Sequence, residues 1–209
     1  VKAEEDWVPS EPETSLYIRP FAFACESSLG VHKSKAYKFV IILSPVGAYY
    51  AEGLAPVKIM VEDEYVRAVQ GGTGFTKCGG NYAGSIIGQV KAEKYGCSQV
   101  LWLDGRERKY VEEVGAMNIM FKIDGEIYTA PIEGTVLPGV TRDSIIHILK
   151  DWGYKVNETH LSVDDLMQAG RDGRLEEVYG TGTAAVISPV GALVYKGEEI
   201  TINNFKIGD

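Results

Sequence analysis

Residues Gly71-Gly72-Thr73-Gly74-Phe75-Thr76-Lys77-Cys78-Gly79-Gly80-Asn81-Tyr82 place one lysine between two glycine clusters and run directly into a helical pattern. The glycines permit tight or positive-φ backbone and let a ligand come close. Lysine is the common side chain that forms a Schiff base with a carbonyl compound. On spacing alone, an ordinary surface loop is the commoner reading of such a stretch. Its reading therefore depends on what the rest of the chain supplies.

Downstream of Lys77, the apolar residues Ile86, Ile87, Val90 and Ala92 fall on one helical face between Asn81 and Tyr95. Gly96 stands where a C-terminal cap is expected. Upstream, three strands are predicted at Ser15–Phe23, Ala36–Leu43 and Pro56–Val61, with Pro20 placing the first at an edge or bulge. Three strands before any helix argue against a simple βαβ start.

The later chain continues the mixed pattern. Gln99–Leu103 reads as a buried strand closed by Asp104-Gly105. Asn118–Ile123 and Glu126–Ala130 flank Asp124-Gly125, which suits the positive φ angles of a type I′ hairpin turn. Ile145, Ile146, Ile148 and Leu149 give a helix an apolar face, ended by Gly153, and a short strand follows over Tyr154–Leu161. Ser162-Val163-Asp164-Asp165 resembles a capping box and opens another helix, to about Ala169. Glu176–Tyr179 is a strand leading into Gly180-Thr181-Gly182-Thr183, and Ala185–Ser188 and Leu193–Tyr195 complete the apolar pattern.

The 209 residues are 45% hydrophobic and 24% charged, with a formal net charge of −8. That suits a globular protein and argues against nucleic acid or an anionic membrane as partner. No apolar run approaches the roughly 18 residues of a membrane span. Cys25, Cys78 and Cys97 are scattered and odd in number, which points to a reducing compartment. His32, His147 and His160 have no metal-site spacing with them, so no metal is expected. Residues 1–14 carry Pro9, Pro12 and five acidic residues and read as a linker. The start without Met and the stop just after an apparent strand suggest a piece of a longer chain.

Three segments supply parts that a lysine-bound cofactor needs. Glu112-Glu113 offers a carboxylate for a ring nitrogen, against the alternative of a solvated pair. Gly139-Val140-Thr141 precedes a helix, whose first N–H groups can hold an anion, against the alternative that Thr141 is a plain N-cap. Gly180–Ala184 brings glycines and hydroxyls that can clasp a phosphate, against the alternative of a turn between strands. Tyr82, five residues after Lys77, is either directed at the same ligand or a core tyrosine.

In this order, the segments resemble the branched-chain amino acid aminotransferases, which are fold-type IV pyridoxal phosphate enzymes. The likeness rests on Leu16–Pro20, Ser28–Val31, Pro45–Tyr49, Gly79–Tyr82, Glu113–Asn118, Leu137–Arg142 and Gly180–Ala184, and covers essentially the whole chain. It implies a mixed α/β fold: the large domain of class IV aminotransferases, a pseudo-barrel of mixed sheet with flanking helices, over residues 15–209, truncated at its C-terminal end.

The resemblance also implies roles. Lys77 is the Schiff-base lysine and proton carrier of pyridoxal 5'-phosphate. Tyr82 bonds the cofactor's 3′-oxygen, and Glu113 its pyridine nitrogen. Gly139, Val140 and Thr141 meet the phosphate, with Gly182 and Thr183 opposite. Tyr17, Arg19, Thr183 and Ala184 meet substrate, and Leu29 and Val31 reach a neighbouring subunit of a homodimer. The implied reaction is ping-pong amino transfer from leucine, isoleucine or valine to 2-oxoglutarate, giving glutamate, in the cytoplasm. A smaller N-terminal domain with a phosphate-binding arginine is absent from this chain. The mammalian Cys-X-X-Cys pair is replaced by Ala185 and Ser188, and Ala116 stands where threonine is common. The alternatives are a D-amino acid aminotransferase or aminodeoxychorismate lyase of the same fold, or a fragment that folds without turning over.

Overall fold

A computed structural model describes residues 2–47, 55–183 and 186–208. The chain divides into two compact units, residues 1–53 and 54–209.

In the first unit, a short 3-10 turn over Lys2–Trp7 precedes strands β1 (Ser15–Ala24) and β2 (Tyr37–Val46). They pair antiparallel in continuous register, from Ser15 opposite Val46 to Ala24 opposite Tyr37. Pro20 lies within β1 and is tolerated because a two-stranded ribbon consists of edges only. Leu29 and Val31 lie on the exposed connection between the strands.

The second unit contains β3 (Val57–Glu62), α1 (Gly79–Lys94), β4 (Gln99–Leu103), β5 (Val111–Val114), β6 (Met117–Ile123) and β7 (Glu126–Thr129). These are followed by α2 (Val140–Asp151), β8 (Val156–Glu158), α3 (Val163–Arg171), β9 (Leu175–Gly182), β10 (Val186–Tyr195) and β11 (Glu198–Thr201). Strand β9 pairs with both β6 and β10, so β10-β3-β4-β5-β6-β9 returns on itself. The sheet is therefore closed, with β11 added beside β10 and β7-β8 beside β6. It is mixed: β3 runs parallel to β4 and β10, whereas β4-β5-β6-β9-β10 are antiparallel. This is the closed mixed sheet expected above.

Apolar burial holds the barrel together. Ile59, Leu101, Leu103, Ile119, Met120 and Leu193 are essentially solvent-free. Each such side chain contributes about 1.5–3 kcal/mol relative to an exposed one. Strands β3 and β4 read as nearly unbroken apolar runs because both of their faces are covered.

Turn chemistry follows the sequence closely. Asp124 (φ 51°) and Gly125 (φ 75°) make the β6–β7 turn, Gly96 and Gly153 take positive φ after α1 and α2, and Ser162 caps α3 by accepting from the Asp165 N–H at 3.0 Å. Helix α1 departs from expectation. Its covered residues are Gly88 and Ala92, while Ile86, Ile87 and Val90 are exposed. The reason is steric: a Cβ on Gly88 would come within 2.5 Å of the buried Trp102 ring. Small residues let the helix approach the sheet, and the isoleucines face away.

Two further differences concern strands. Gly180-Thr181-Gly182 is the end of β9, paired with β10, and Thr183 lies in the turn that follows. The two apolar pieces around Val186 and Leu193 form one strand across Pro189. Strands β5 and β11 had no apolar run long enough to announce them.

Candidate active site

Lys77 sits at the end of a loop whose shape is fixed from both sides. Asn81, in the first turn of α1, donates through Nδ2 to the carbonyls of Thr73 (2.7 Å) and Thr76 (2.8 Å) and accepts the Thr73 hydroxyl at Oδ1 (2.7 Å). Gly74 is required by packing, since a Cβ there would lie 2.4 Å from the Ala68 Cβ and 2.5 Å from the Thr135 carbonyl oxygen. Gly79 and Gly80 have open space where a side chain would be. Thus one glycine cluster fits the protein's own backbone, and the other leaves room beside the lysine.

Lys77 Nζ donates to the Tyr82 phenol oxygen at 2.7 Å. Both line a solvent-open cleft with Arg67, Glu113 and Leu137. Tyr82 is therefore partly exposed beside the lysine and not a core tyrosine.

Glu113 is 3% exposed on β5. Its Oε1 accepts from the Leu137 N–H at 2.6 Å and from Asn118 Nδ2 at 3.2 Å. Its Oε2 lies 3.3 Å from Arg67 Nε, but the N–H is not aimed at it, so the contact is an ion pair without a hydrogen bond there. Burial pushes the carboxyl up to about 7; Arg67, the Leu137 N–H and Lys77 pull it down, and Glu112 pushes it further up. Glu112 is also buried, so the pair is not a solvated one. The sequence offered no signal for Arg67, which reaches the site from the loop after β3. That loop is anchored by the fully buried Glu62, which accepts the N–H groups of Glu64 and Tyr65 and Lys91 Nζ at 2.9 Å.

The β-ladder carries this polar row further. Glu113 pairs with Asn118 across β5–β6, and Asn118 with Thr181 across β6–β9. Directly opposed residues share a sheet face, so all three side chains are on one face. Asn118 also donates to the Leu137 carbonyl at 2.9 Å, and its Oδ1 lies 2.2 Å from where a Gly139 Cβ would be. Asn118 was given no role in the sequence, and Thr181 was read only as one hydroxyl of the Gly180–Ala184 stretch. The Thr181 hydroxyl is buried without a hydrogen-bond partner among the described residues.

Gly139, not Thr141, is the N-cap of α2, and no side chain caps this end. The first-turn N–H groups at Val140 and Thr141 are thus left for water or an anion. Gly182 ends β9 and Thr183 is exposed in the following turn. Ala184 lies outside the described residues. In the first unit, Arg19 Nη2 donates to the Tyr17 phenol at 3.2 Å, with its guanidinium 4.9 Å from that ring's centroid. Among the described residues, no cluster of histidine, cysteine, aspartate and glutamate could hold a metal, and no helix is long and apolar enough to cross a membrane.

Residues 3–193 match the family model for amino-transferase class IV. The whole chain is 57% identical to branched-chain-amino-acid aminotransferase 2 of Bacillus subtilis (strain 168) and 56% identical to the probable branched-chain-amino-acid aminotransferase of Staphylococcus aureus (strain N315). It spans 58% and 59% of the length of those two proteins. Among solved structures, it is similar to the branched-chain amino acid aminotransferase of Escherichia coli, with a TM-score of 0.78 and 32% identity over 93% of this chain and 62% of that one. It is likewise similar to the T.th. branched-chain amino acid aminotransferase complexed with N-(5'-phosphopyridoxyl)-L-glutamate, with a TM-score of 0.74 and 30% identity over 93% of this chain and 60% of that one.

Proposed function

The chain belongs to the class IV aminotransferases, and from that premise we propose that the protein carrying it transfers amino groups from branched-chain L-amino acids to 2-oxoglutarate, with pyridoxal 5'-phosphate as cofactor. The observation that carries this reading is the convergence of Lys77, Tyr82 and Glu113 on one cleft. The cofactor, when bound, supplies an electron sink for the carbanion left by deprotonation at Cα.

The residues fit that group. Lys77 provides the amine for its carbonyl, held toward the cleft by Tyr82. The same amine would serve as the base that takes the proton from the substrate Cα and as the acid that gives it back. Tyr82 also offers its phenol to the ring oxygen. Glu113, poised near neutrality, can ionise against a protonated ring nitrogen, and Arg67 favours that ionised form. The uncapped start of α2 at Gly139, Val140 and Thr141 suits a phosphate, as do Gly182 and Thr183 and the Thr181 hydroxyl, which has no hydrogen-bond partner among the described residues.

Further elements of the reading concern the whole protein. Tyr17 and Arg19 would select substrate, with Arg19 taking the distal carboxylate of glutamate, and Thr183 and Ala184 would hold the α-carboxylate. Leu29 and Val31 would contact the second subunit of a cytoplasmic homodimer. Residues 1–14 would link a small domain to the large domain that begins at residue 15. Kinetics would be ping-pong. The deciding experiment is an assay of the purified intact protein with leucine and 2-oxoglutarate. Glutamate formation with parallel double-reciprocal lines is expected. Turnover restricted to D-amino acids would overturn the reading.

A further inference from the structure

Asn118 is buried on β6, on the sheet face that carries Glu113. Its Nδ2 donates to Glu113 Oε1 at 3.2 Å and to the Leu137 carbonyl at 2.9 Å. Both partners are acceptors, so the amide nitrogen and not the oxygen must face them. The Leu137 N–H in turn donates to the same Glu113 Oε1, at 2.6 Å. Carboxylate, amide and the backbone of one residue thus close a ring of three hydrogen bonds. The ring makes the two carboxylate oxygens unequal. Oε1 takes two donors, which fills its lone-pair directions. Oε2 lies 3.3 Å from Arg67 Nε and takes no hydrogen bond from it there, so it is the oxygen with capacity for a further donor.

The same ring reaches the start of α2. The Leu137 carbonyl also accepts the Gly139 N–H at 2.8 Å, and Gly139 is the N-cap of α2. The far side of the amide packs against that residue. A Cβ on Gly139 would lie 2.2 Å from Asn118 Oδ1 and force the amide aside, whereas its contact with the Arg142 Cβ, at 3.6 Å, would be ordinary. One buried side chain therefore touches the carboxylate on one side and the helix start on the other.

We infer that Asn118 is a positioning residue that holds Glu113 and the start of α2 in register, so that a ring nitrogen and a phosphate on one ligand are met together. This rests on the reading of the site given above, in which Glu113 meets the ring nitrogen and α2 the phosphate. Asn118 needs no contact with either group. Its effect is preorganisation: two half-sites held at the right spacing bind a linked ligand far more tightly than two loose ones.

Absorbance titration of the cofactor-free intact protein tests this, with pyridoxal 5'-phosphate and with pyridoxal, which lacks the phosphate. Gly139→Ala alters the phosphate end, yet it should weaken pyridoxal about three- to tenfold, because the added Cβ displaces Asn118 and through it Glu113. In the Asn118→Ala background the Cβ meets no amide, and Gly139→Ala should leave pyridoxal affinity level. Asn118→Ala alone should weaken pyridoxal 5'-phosphate at least about tenfold more than pyridoxal, whereas a general loosening would weaken both alike. Should Asn118→Ala fail to fold by its melting curve, Asn118→Ser takes its place in both comparisons. The inference is overturned if Gly139→Ala leaves pyridoxal binding untouched, if it weakens pyridoxal equally without Asn118, or if the two ligands fall alike in Asn118→Ala. Equal wild-type affinity for the two ligands, or no effect of Glu113→Gln on pyridoxal binding, would overturn the site reading itself and this inference with it.

Discussion

Lys77 Nζ and the Tyr82 phenol oxygen lie 2.7 Å apart, joined by a hydrogen bond across the start of α1. The five-residue spacing alone does not place them in contact; the Asn81 bonds to the Thr73 and Thr76 carbonyls do, by folding the loop back onto the helix. Lys77→Ala should abolish transamination by the intact protein and the visible absorption due to covalently held cofactor. Tyr82→Phe should retain that absorption with a shifted maximum and lose about 10²-fold in kcat, in the range for removing one positioned proton donor. An unshifted spectrum in Tyr82→Phe would separate the phenol from the chemistry.

Glu113 and Glu112 should differ sharply in kinetic effect. Glu113 lines the lysine cleft and Glu112 a second one. Glu113→Gln removes the carboxylate proposed to face the ring nitrogen, for an expected loss of about 10²–10³ in kcat. Glu112→Gln should cost less than about tenfold, because its side chain does not line the first cleft and acts there through the fields at Glu113 and Arg67 and through Thr135. Steady-state kinetics of the two variants with leucine decide it, and a larger loss at Glu112 would reverse the assignment.

Arg67 should matter to stability as well as to activity. It is the buried cation beside Glu113 and also donates to the carbonyls of Gly74 and Thr135. Arg67→Met leaves a buried carboxylate and two carbonyls without their donor. Removing one member of a buried pair typically costs about 3–5 kcal/mol. Urea denaturation at pH 8, where Glu113 is ionised, should show a loss of that order, and a smaller loss at pH 5.5, where protonation relieves it.

How much of this was legible beforehand depends on what each feature needs. Turns speak for themselves: Asp124-Gly125, Gly96, Gly153 and Ser162 act through local backbone preference, and all four appear as read. The roles proposed for Lys77 and Glu113 come from the family resemblance, because the residues alone could not separate Glu113 from Glu112 or a cofactor loop from a surface loop. Strand alternation on β5 separates the two glutamates in space. Arg67 was invisible because it reaches Glu113 from a loop distant in sequence, and Thr181 was read only as one hydroxyl of the Gly180–Ala184 stretch because its place beside Asn118 comes from pairing across the closed sheet, which no local pattern encodes. The apolar face of α1 was misread for a related reason. Helical periodicity identifies an apolar stripe but not which side the sheet occupies, and here Trp102 admits only small residues.

The stability of the cofactor-free protein should fall as pH rises through the titration of Glu113. Its folded value, about 7, lies above the ordinary 4.5. Between those values the folded state holds a proton that the unfolded state has released, so folding is favoured at the acid end. The advantage is fully present below about pH 4.5, declines as pH rises and is gone above about pH 7. The full difference is on the order of 3 kcal/mol. Other groups titrate over the same range, so the informative quantity is wild type minus Glu113→Gln, from urea midpoints at half-unit steps between pH 5 and 8. A flat difference would mean that the carboxyl is not raised in the folded state.

Two glycines on α1 give the last prediction, because they have the same helix propensity and opposite surroundings. A Cβ on Gly84 meets nothing within 4 Å, whereas one on Gly88 comes within 2.5, 3.2 and 3.3 Å of three Trp102 ring carbons. Alanine in place of a helical glycine contributes about 0.5–1 kcal/mol through backbone entropy. At Gly84 that is the whole effect, so Gly84→Ala should raise the unfolding free energy by that amount. At Gly88 the same gain is opposed by overpacking, typically about 1–3 kcal/mol. Trp102 is only 1% exposed and its ring is rigid, so it cannot yield by changing rotamer; the helix must lift from the sheet. The net effect of Gly88→Ala should therefore be a loss of about 1–2 kcal/mol. Lifting α1 also moves Tyr82, near its start, away from Glu113, so cofactor affinity should fall with stability in Gly88→Ala and stay level in Gly84→Ala. Thermal melts and absorbance titration of the two variants read both quantities, and a stabilised Gly88→Ala would show that the helix does not depend on this close approach.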